Sequence, residues 1–166
     1  MEKLKVDLGE IGEHMQNQNR YDMDFYLDKE TGEVIIIETE ILRKLEDGEI
    51  MEDLSDWQVE QVKIAKQILL SDRYIRIPEK PSYEGYNLMV EFADEVEDKF
   101  LQEKLAIALD GKGAFRRFKN VLLSYPKYRE QWFEFEQEKI NEEVIEWLNS
   151  IGIEPEISND KNIANE

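Results

Sequence analysis

YDMDFYLDKETGEVIIIE, residues 21–38, decides the fold class. Met23, Phe25 and Leu27 alternate with polar neighbours, as in a strand with one buried face, and Val34 to Ile37 is a β-branched run suited to a second strand. Between them lies a turn at Lys29 to Gly32, where Gly32 can take the left-handed conformation that closes a hairpin. Downstream, RYIRIP at residues 73–78 alternates through Ile77 and stops at Pro78, as an edge or third strand does. These residues predict a small antiparallel sheet over 23–38 with the 73–78 strand.

Outward from the hairpin the pattern is helical. Before it, Asp7 is placed as N-cap with Glu10 three residues on and Val6 set against Ile11; Leu8, Ile11 and Met15 line one face. After it, TEILRKLEDG reads as a short helix stopped at Gly48. Ser55 and Gln58 form a capping box for a helix with Val59, Val62, Ala65, Ile68 and Leu69 at helical spacing. Four helices then follow in series. Their stripes are Tyr86, Met89, Val90, Ala93 and Val96; then Leu101, Leu105, Ala108 and Leu109; then AFRRFKNVLLS; and a last helix after Pro126 that buries Phe133, Ile140, Val144, Trp147 and Leu148 and closes at Gly152. The reading is α+β: a mostly helical single domain over 1–152, its small antiparallel sheet in the N-terminal half and a helical C-terminal half, with 153–166 a polar, disordered tail.

Composition bounds the chemistry. At 166 residues folding removes roughly 70% of the chain's surface from water, and 41% hydrophobic content supplies a core despite 36% charged residues. There are no cysteines, which excludes disulfides, zinc–thiolate sites and thiol catalysis and fits a cytoplasmic location. The N-terminus lacks an apolar run with a cleavage site, and no stretch reaches 18 apolar residues, so neither export by a standard signal nor a membrane span is expected. A net charge of −18 repels phosphate backbones and anionic lipid, which argues against nucleic acid and membrane partners and for basic protein surfaces.

Against that background DGKGAFRRFKNVLLSYP, residues 110–126, is a basic island. With YLDKETGEV, RYIRIP and the aromatic pair Trp132 and Phe135, its Gly-Lys-Gly-Ala-Phe-Arg-Arg-Phe block resembles a bacterial family, uncharacterised protein family 0158, over residues 1 to 152. The resemblance implies a single bacterial domain. It brings no reaction with it, so no catalytic residue is carried over.

On a helical wheel Phe115, Phe118, Val121 and Leu122 share an apolar arc, with Phe115 and Phe118 expected to anchor the helix in the core. Lys112, Arg116 and Lys119 follow on an adjacent stripe beside Asn120, and Arg117 points elsewhere. The Gly111-Lys112-Gly113 break precedes a helix N-terminus, whose free N–H groups and dipole favour an anion. The candidate site is therefore Lys112, Gly113, Ala114, Arg116 and Lys119, holding a small anionic ligand or an acidic protein partner. The competing reading is structural: the glycines serve packing and the stripe pairs with acids such as residues 94–98. A third is self-association, because residues 111–129 carry +6 while the rest of the chain carries −24.

Enzyme signatures are thin. His14 is the only histidine and reads as a packing or surface residue. No Walker pattern, dinucleotide fingerprint, nucleophile elbow or EF-hand loop occurs, and neither a cofactor nor a dedicated metal site is expected. Asp22, Asp24 and Asp28, or Asp94, Glu95, Glu97 and Asp98, leave room for a metal-dependent phosphate-ester enzyme, although solvated faces account for such clusters in an acidic chain. A DNA-mimicking inhibitor is the other alternative. Trp132, Phe135 and Trp57 are expected to pack. The reading is a non-enzymatic binding or regulatory protein with its site at residues 111–119.

Overall fold

The computed structural model describes residues 1–17 and 19–156. Among them are seven helices, a three-stranded antiparallel sheet and a parallel pair of strands, an α+β architecture. The chain divides into two compact units, Met1–Glu79 with the chain from Glu143 onward, and Lys80–Glu142.

The first unit is built on the hairpin. β2 (Met23–Asp28) pairs with β3 (Val34–Glu38) on one side and β4 (Tyr74–Arg76) on the other, both antiparallel, with Phe25 opposite Ile36 and Leu27 opposite Ile75. On one face of this sheet Ile37 and Tyr26 meet Ile41 and Leu42 of α2 (Thr39–Glu46) and Ala65 of α3 (Asp56–Leu70). On the other, His14 of α1 (Leu8–Gln16) stacks on the Phe25 ring at 4.0 Å, while Ile11 and Met15 are fully buried. Of the apolar run Val34 to Ile37 only Ile37 is fully buried, and Ile36, on the face opposite it, keeps 47% of its surface.

The caps form as their sequences dictate. Asp7 accepts the Glu10 N–H at 3.1 Å, the Ser55–Gln58 box closes in both directions, and Gly48 ends α2 at φ +70°. α3 departs from its expected stripe. Val59 and Leu69 are exposed and Trp57 stands half in water, while Gln61 is buried. Its amide donates to the Ile36 carbonyl at 2.8 Å and accepts the Glu38 N–H at 3.1 Å. Gln61 thus takes the place of a neighbouring strand along β3, and satisfying that open edge outweighs burying one more apolar side chain.

Three segments meet at Asp28. Arg73 clamps its carboxylate with Nε at 3.0 Å and Nη2 at 2.9 Å, the Glu30 N–H donates to it at 3.0 Å, and the Gly32 N–H donates to its main-chain carbonyl at 2.8 Å. Gly32 sits at φ +80°, and a Cβ there would overlap the Lys5 carbonyl oxygen, so the hairpin turn and β1 (Glu2–Lys5) can touch only through a glycine. Arg20 makes a second clamp. It is buried, lies over the Phe25 ring, and donates to the carbonyls of Ile77, His14 and Pro78 at 2.8, 2.9 and 2.9 Å.

The polar tail needs correction at its start. Residues 153–156 form β5 (Ile153–Glu156), which pairs in parallel with β1 from Glu2 opposite Ile153. EKLK and IEPE are each four residues long and rich in charge, with Ile153 their only β-branched residue; each becomes a strand because the other offers the matching backbone groups. Residues 157–166 of the expected tail lie outside the described residues.

The second unit holds α4 (Ser82–Glu95), α5 (Lys99–Ala108), α6 (Ala114–Leu122) and the first part of α7 (Pro126–Ser150), whose last turns belong to the first unit. Trp132 is buried in its core, with the rings of Phe118, Phe92 and Phe135 at 4.9, 5.4 and 6.1 Å. Phe133, expected inside, faces out under the Arg129 guanidinium. Neighbours on a helix point about 100° apart, so only one of the two can face inward, and the indole removes more apolar surface from water.

Burial alone would raise the Asp28 carboxyl, but the Arg73 fork together with the N–H and hydroxyl donors of the turn outweighs it and holds the group below its ordinary value. A depressed carboxyl lends stability that is present above its unfolded pKa and is lost as pH falls through the folded one. Asp28→Asn is therefore expected to lower the Tm by roughly 5–10 °C at neutral pH. The gap to the parent protein should shrink on acidification below about pH 4, as read by circular-dichroism melts across pH.

Candidate functional site

The basic island spans the turn from α5 to α6. Gly111 and Gly113 both take left-handed conformations, at φ +83° and +79°, and Gly113 is the N-cap of α6. The turn is organised from inside by Arg117, the basic residue that lies off the cationic stripe. Its Nε donates to the Ala108 carbonyl at 2.9 Å, Nη2 to Asp110 at 2.6 Å and Gly111 at 3.3 Å, and Nη1 to Lys112. A single guanidinium so gathers the carbonyls that the end of α5 leaves unpaired, and places a positive charge at the negative end of that helix dipole. A Cβ on Gly113 would stand 3.0 Å from Nη1, which leaves little room for any other residue.

With those carbonyls turned toward Arg117, the start of α6 stays open. No side chain caps it, and the N–H groups of Ala114, Phe115 and Arg116 have no acceptor among the described residues. A shallow hollow of about 460 Å³ lies at this helix start, walled by Tyr86, Leu109, Lys112 and Phe115. The Tyr86 hydroxyl donates to the Leu109 carbonyl at 2.9 Å and fixes one side of it.

Phe115 does not anchor the helix in the core as its wheel position implies. Phe118 is fully buried with Ala114 and Leu122, whereas Phe115 keeps 41% of its surface and lays its ring on Gly85 of α4, where a Cβ would approach the ring to 3.2 Å. The inward arc centres on Phe118, and Phe115 falls at its edge.

Lys112, Arg116 and Lys119 are all exposed. None has a carboxylate within ion-pair distance among the described residues, and the acids of 94–98 do not serve them. Asp98 caps α5 by accepting the Leu101 N–H at 3.1 Å, and Asp94 offers its main-chain carbonyl to Gln102. Some bases elsewhere are matched, Arg43 with Glu40 and Asp47, Arg73 with Asp28 and Glu30, Arg76 with Asp24, Lys139 with Glu91, while others such as Lys104 and Lys127 also lack an ion pair among the described residues. The acid nearest in effect to the stripe is Glu136 of α7, which sequence reasoning missed. Burial raises its carboxyl, Lys119 pulls it back, and the net position is above the ordinary range.

Two of the aspartates considered as metal ligands are otherwise engaged. Asp24 holds Arg76 at 3.0 Å and accepts from the Thr39 hydroxyl at 3.1 Å, and Asp28 holds Arg73. Among the described residues no group of three His, Cys, Asp or Glu side chains is placed to hold a metal ion.

A family model described as "Uncharacterised protein family (UPF0158)" matches residues 4–166. A UPF0158 protein of Pseudomonas aeruginosa is similar, with 26% identity over 155 residues that cover 93% of this chain and 88% of that one. No solved structure matches.

Arg117 and its stripe neighbours should separate cleanly in urea unfolding. Arg117→Ala is expected to cost about 1–2 kcal/mol, since four carbonyls of the turn lose a shared charged donor, while Lys112→Ala and Arg116→Ala should each stay within about 0.5 kcal/mol. Glu136 makes a pH prediction of opposite sign to that of Asp28. A raised carboxyl favours folding in its protonated form, so stability from this group is present below its unfolded pKa and lost as pH rises through the folded one. Glu136→Gln should raise the Tm by roughly 2–4 °C at pH 7, and the melts of variant and parent should converge as the carboxyl protonates.

Proposed function

The chain belongs to the uncharacterised protein family UPF0158, and within it we propose that this protein is a non-enzymatic binding or regulatory module that holds an acidic group of a partner on residues 111–119. One observation carries the reading: among the described residues, three adjacent cations have no carboxylate within ion-pair distance, in a chain of 39 acids and 21 bases. What sets these three apart from other solvent-facing bases is their position, one after another along α6 and the turn that leads into it.

The open start of α6 supports the same chemistry. The N–H groups of Ala114, Phe115 and Arg116 and the Lys112 ammonium would take the first carboxylate or phosphate, and Arg116 and Lys119 would take charges further along. Among the described residues no helix is long and apolar enough to cross a membrane. A cytoplasmic location belongs to the proposal and rests on the absence of cysteine.

An amide NMR titration of the full chain with a polyglutamate peptide and, separately, with pyrophosphate tests the reading. Saturable shifts at Gly113, Ala114 and Arg116 are expected, weakening at least tenfold as salt rises from about 0.05 to 0.3 M and lost in Lys112→Glu/Arg116→Glu. Shifts from the peptide alone identify a protein partner; shifts from pyrophosphate alone identify a small anion. Silence from both overturns the proposal.

A further inference from the structure

The cationic stripe does not stand alone on its face. α5 exposes Phe100, Lys104 and Ile107 at i, i+4 and i+7, with Phe100 at 63% and Ile107 at 75%. α6 exposes Arg116 and Asn120, and its C-cap residue Leu123, at the same spacing, with Leu123 at 60%. The two helices run antiparallel side by side. Arg117 ties the start of α6 to the end of α5, and at the other end the Lys104 ammonium lies 5.8 Å from the ring centre of Tyr125, just past α6. Each helix meanwhile turns a separate set, Leu101 and Leu105 or Phe118 and Leu122, into the core. Phe100, Ile107 and Leu123 stand outside that core.

From this juxtaposition we propose that the occupant of the site is an amphipathic acidic helix of a protein partner, laid along the outer face of the α5–α6 hairpin. The inference rests on the acidic-partner reading and specifies it. Isolated exposed apolar side chains are ordinary, but three large ones sharing a strip with cations form a contact surface with chemistry of its own. Phe100, Ile107 and Leu123 would take apolar side chains spaced one helical turn apart. Lys104, Arg116 and Lys119 would meet carboxylates on either side of them. Lys104 already spreads over the Phe100 ring at 4.7 Å, so cation and apolar surface are presented together.

An anionic membrane offers a similar mix of charge and grease, but it is a plane. It would bring the acidic remainder of a −18 chain toward negative headgroups, whereas a single helix meets only the local positive field within a screening length of about 8 Å.

Two synthetic helical peptides of equal negative charge, one with a leucine face opposite its glutamates and one with serine and alanine there, are titrated against the full chain by fluorescence anisotropy. The leucine-faced peptide is expected to bind at least tenfold tighter. Ile107→Ser/Leu123→Ser should abolish that advantage while leaving the melting curve unchanged, and Arg116→Glu should weaken both peptides. Equal binding of the two peptides, with Arg116→Glu still weakening both, overturns this inference and leaves the acidic-partner reading standing. Peptide binding indifferent to Arg116→Glu removes both. Preference for phosphatidylserine vesicles over either peptide, or self-association that the double variant abolishes, overturns it in favour of a membrane or a second copy of the chain.

Discussion

The Arg117 guanidinium is the interaction on which the candidate site depends. An α-helix leaves its last carbonyls without donors, and a tight turn through two left-handed glycines adds more. Arg117 answers both by donating to Ala108, Asp110, Gly111 and Lys112 from the following helix. Because the turn's carbonyls are taken up by Arg117 and no side chain caps α6, the donors at its start have no acceptor among the described residues. The same contact fixes where α6 begins relative to α5, and hence which residues of the two helices share an outer face.

Arginine does this work repeatedly. Arg20 joins the chain after α1 to the end of β4 through three carbonyls, and Arg73 joins the hairpin turn to β4 through Asp28. A guanidinium offers five donors in a rigid plane and stays charged when partly buried, which suits it to tying several segments at one point. The basic residues thus divide by role. Arg20, Arg73 and Arg117 are consumed within the fold, and Lys112, Arg116 and Lys119 face solvent with no ion pair among the described residues. That division turns a basic stretch of sequence into a surface with chemistry of its own. The outward residues of α5 extend the surface, since helices that share a core on one side also share a face on the other.

Much was legible from residue order alone, wherever the governing physics is local. Alternation, turn chemistry and capping are decided within a few residues, so the hairpin, the Asp7 cap, the Ser55–Gln58 box and the Gly48 stop follow from the sequence. The net charge, the lack of cysteine and the basic island are equally readable. The inward stripes of α4 and α5 also follow, because apolar side chains at helical spacing have one side to face.

What only the tertiary structure decided were choices between neighbours and the satisfaction of backbone groups by distant residues. Trp132 rather than Phe133, Phe118 rather than Phe115, and Gln61 rather than Val59 face inward because packing partners on other segments select among positions that periodicity leaves nearly equal. β1 and β5 exist because two segments some 150 residues apart in sequence meet and pair. The role of Arg117 depends on carbonyls of the preceding helix end, and no spacing rule marks it. Nor could residue order show whether the stripe was paired with internal acids, since ion pairing depends on which charges the fold brings within a few ångströms of one another.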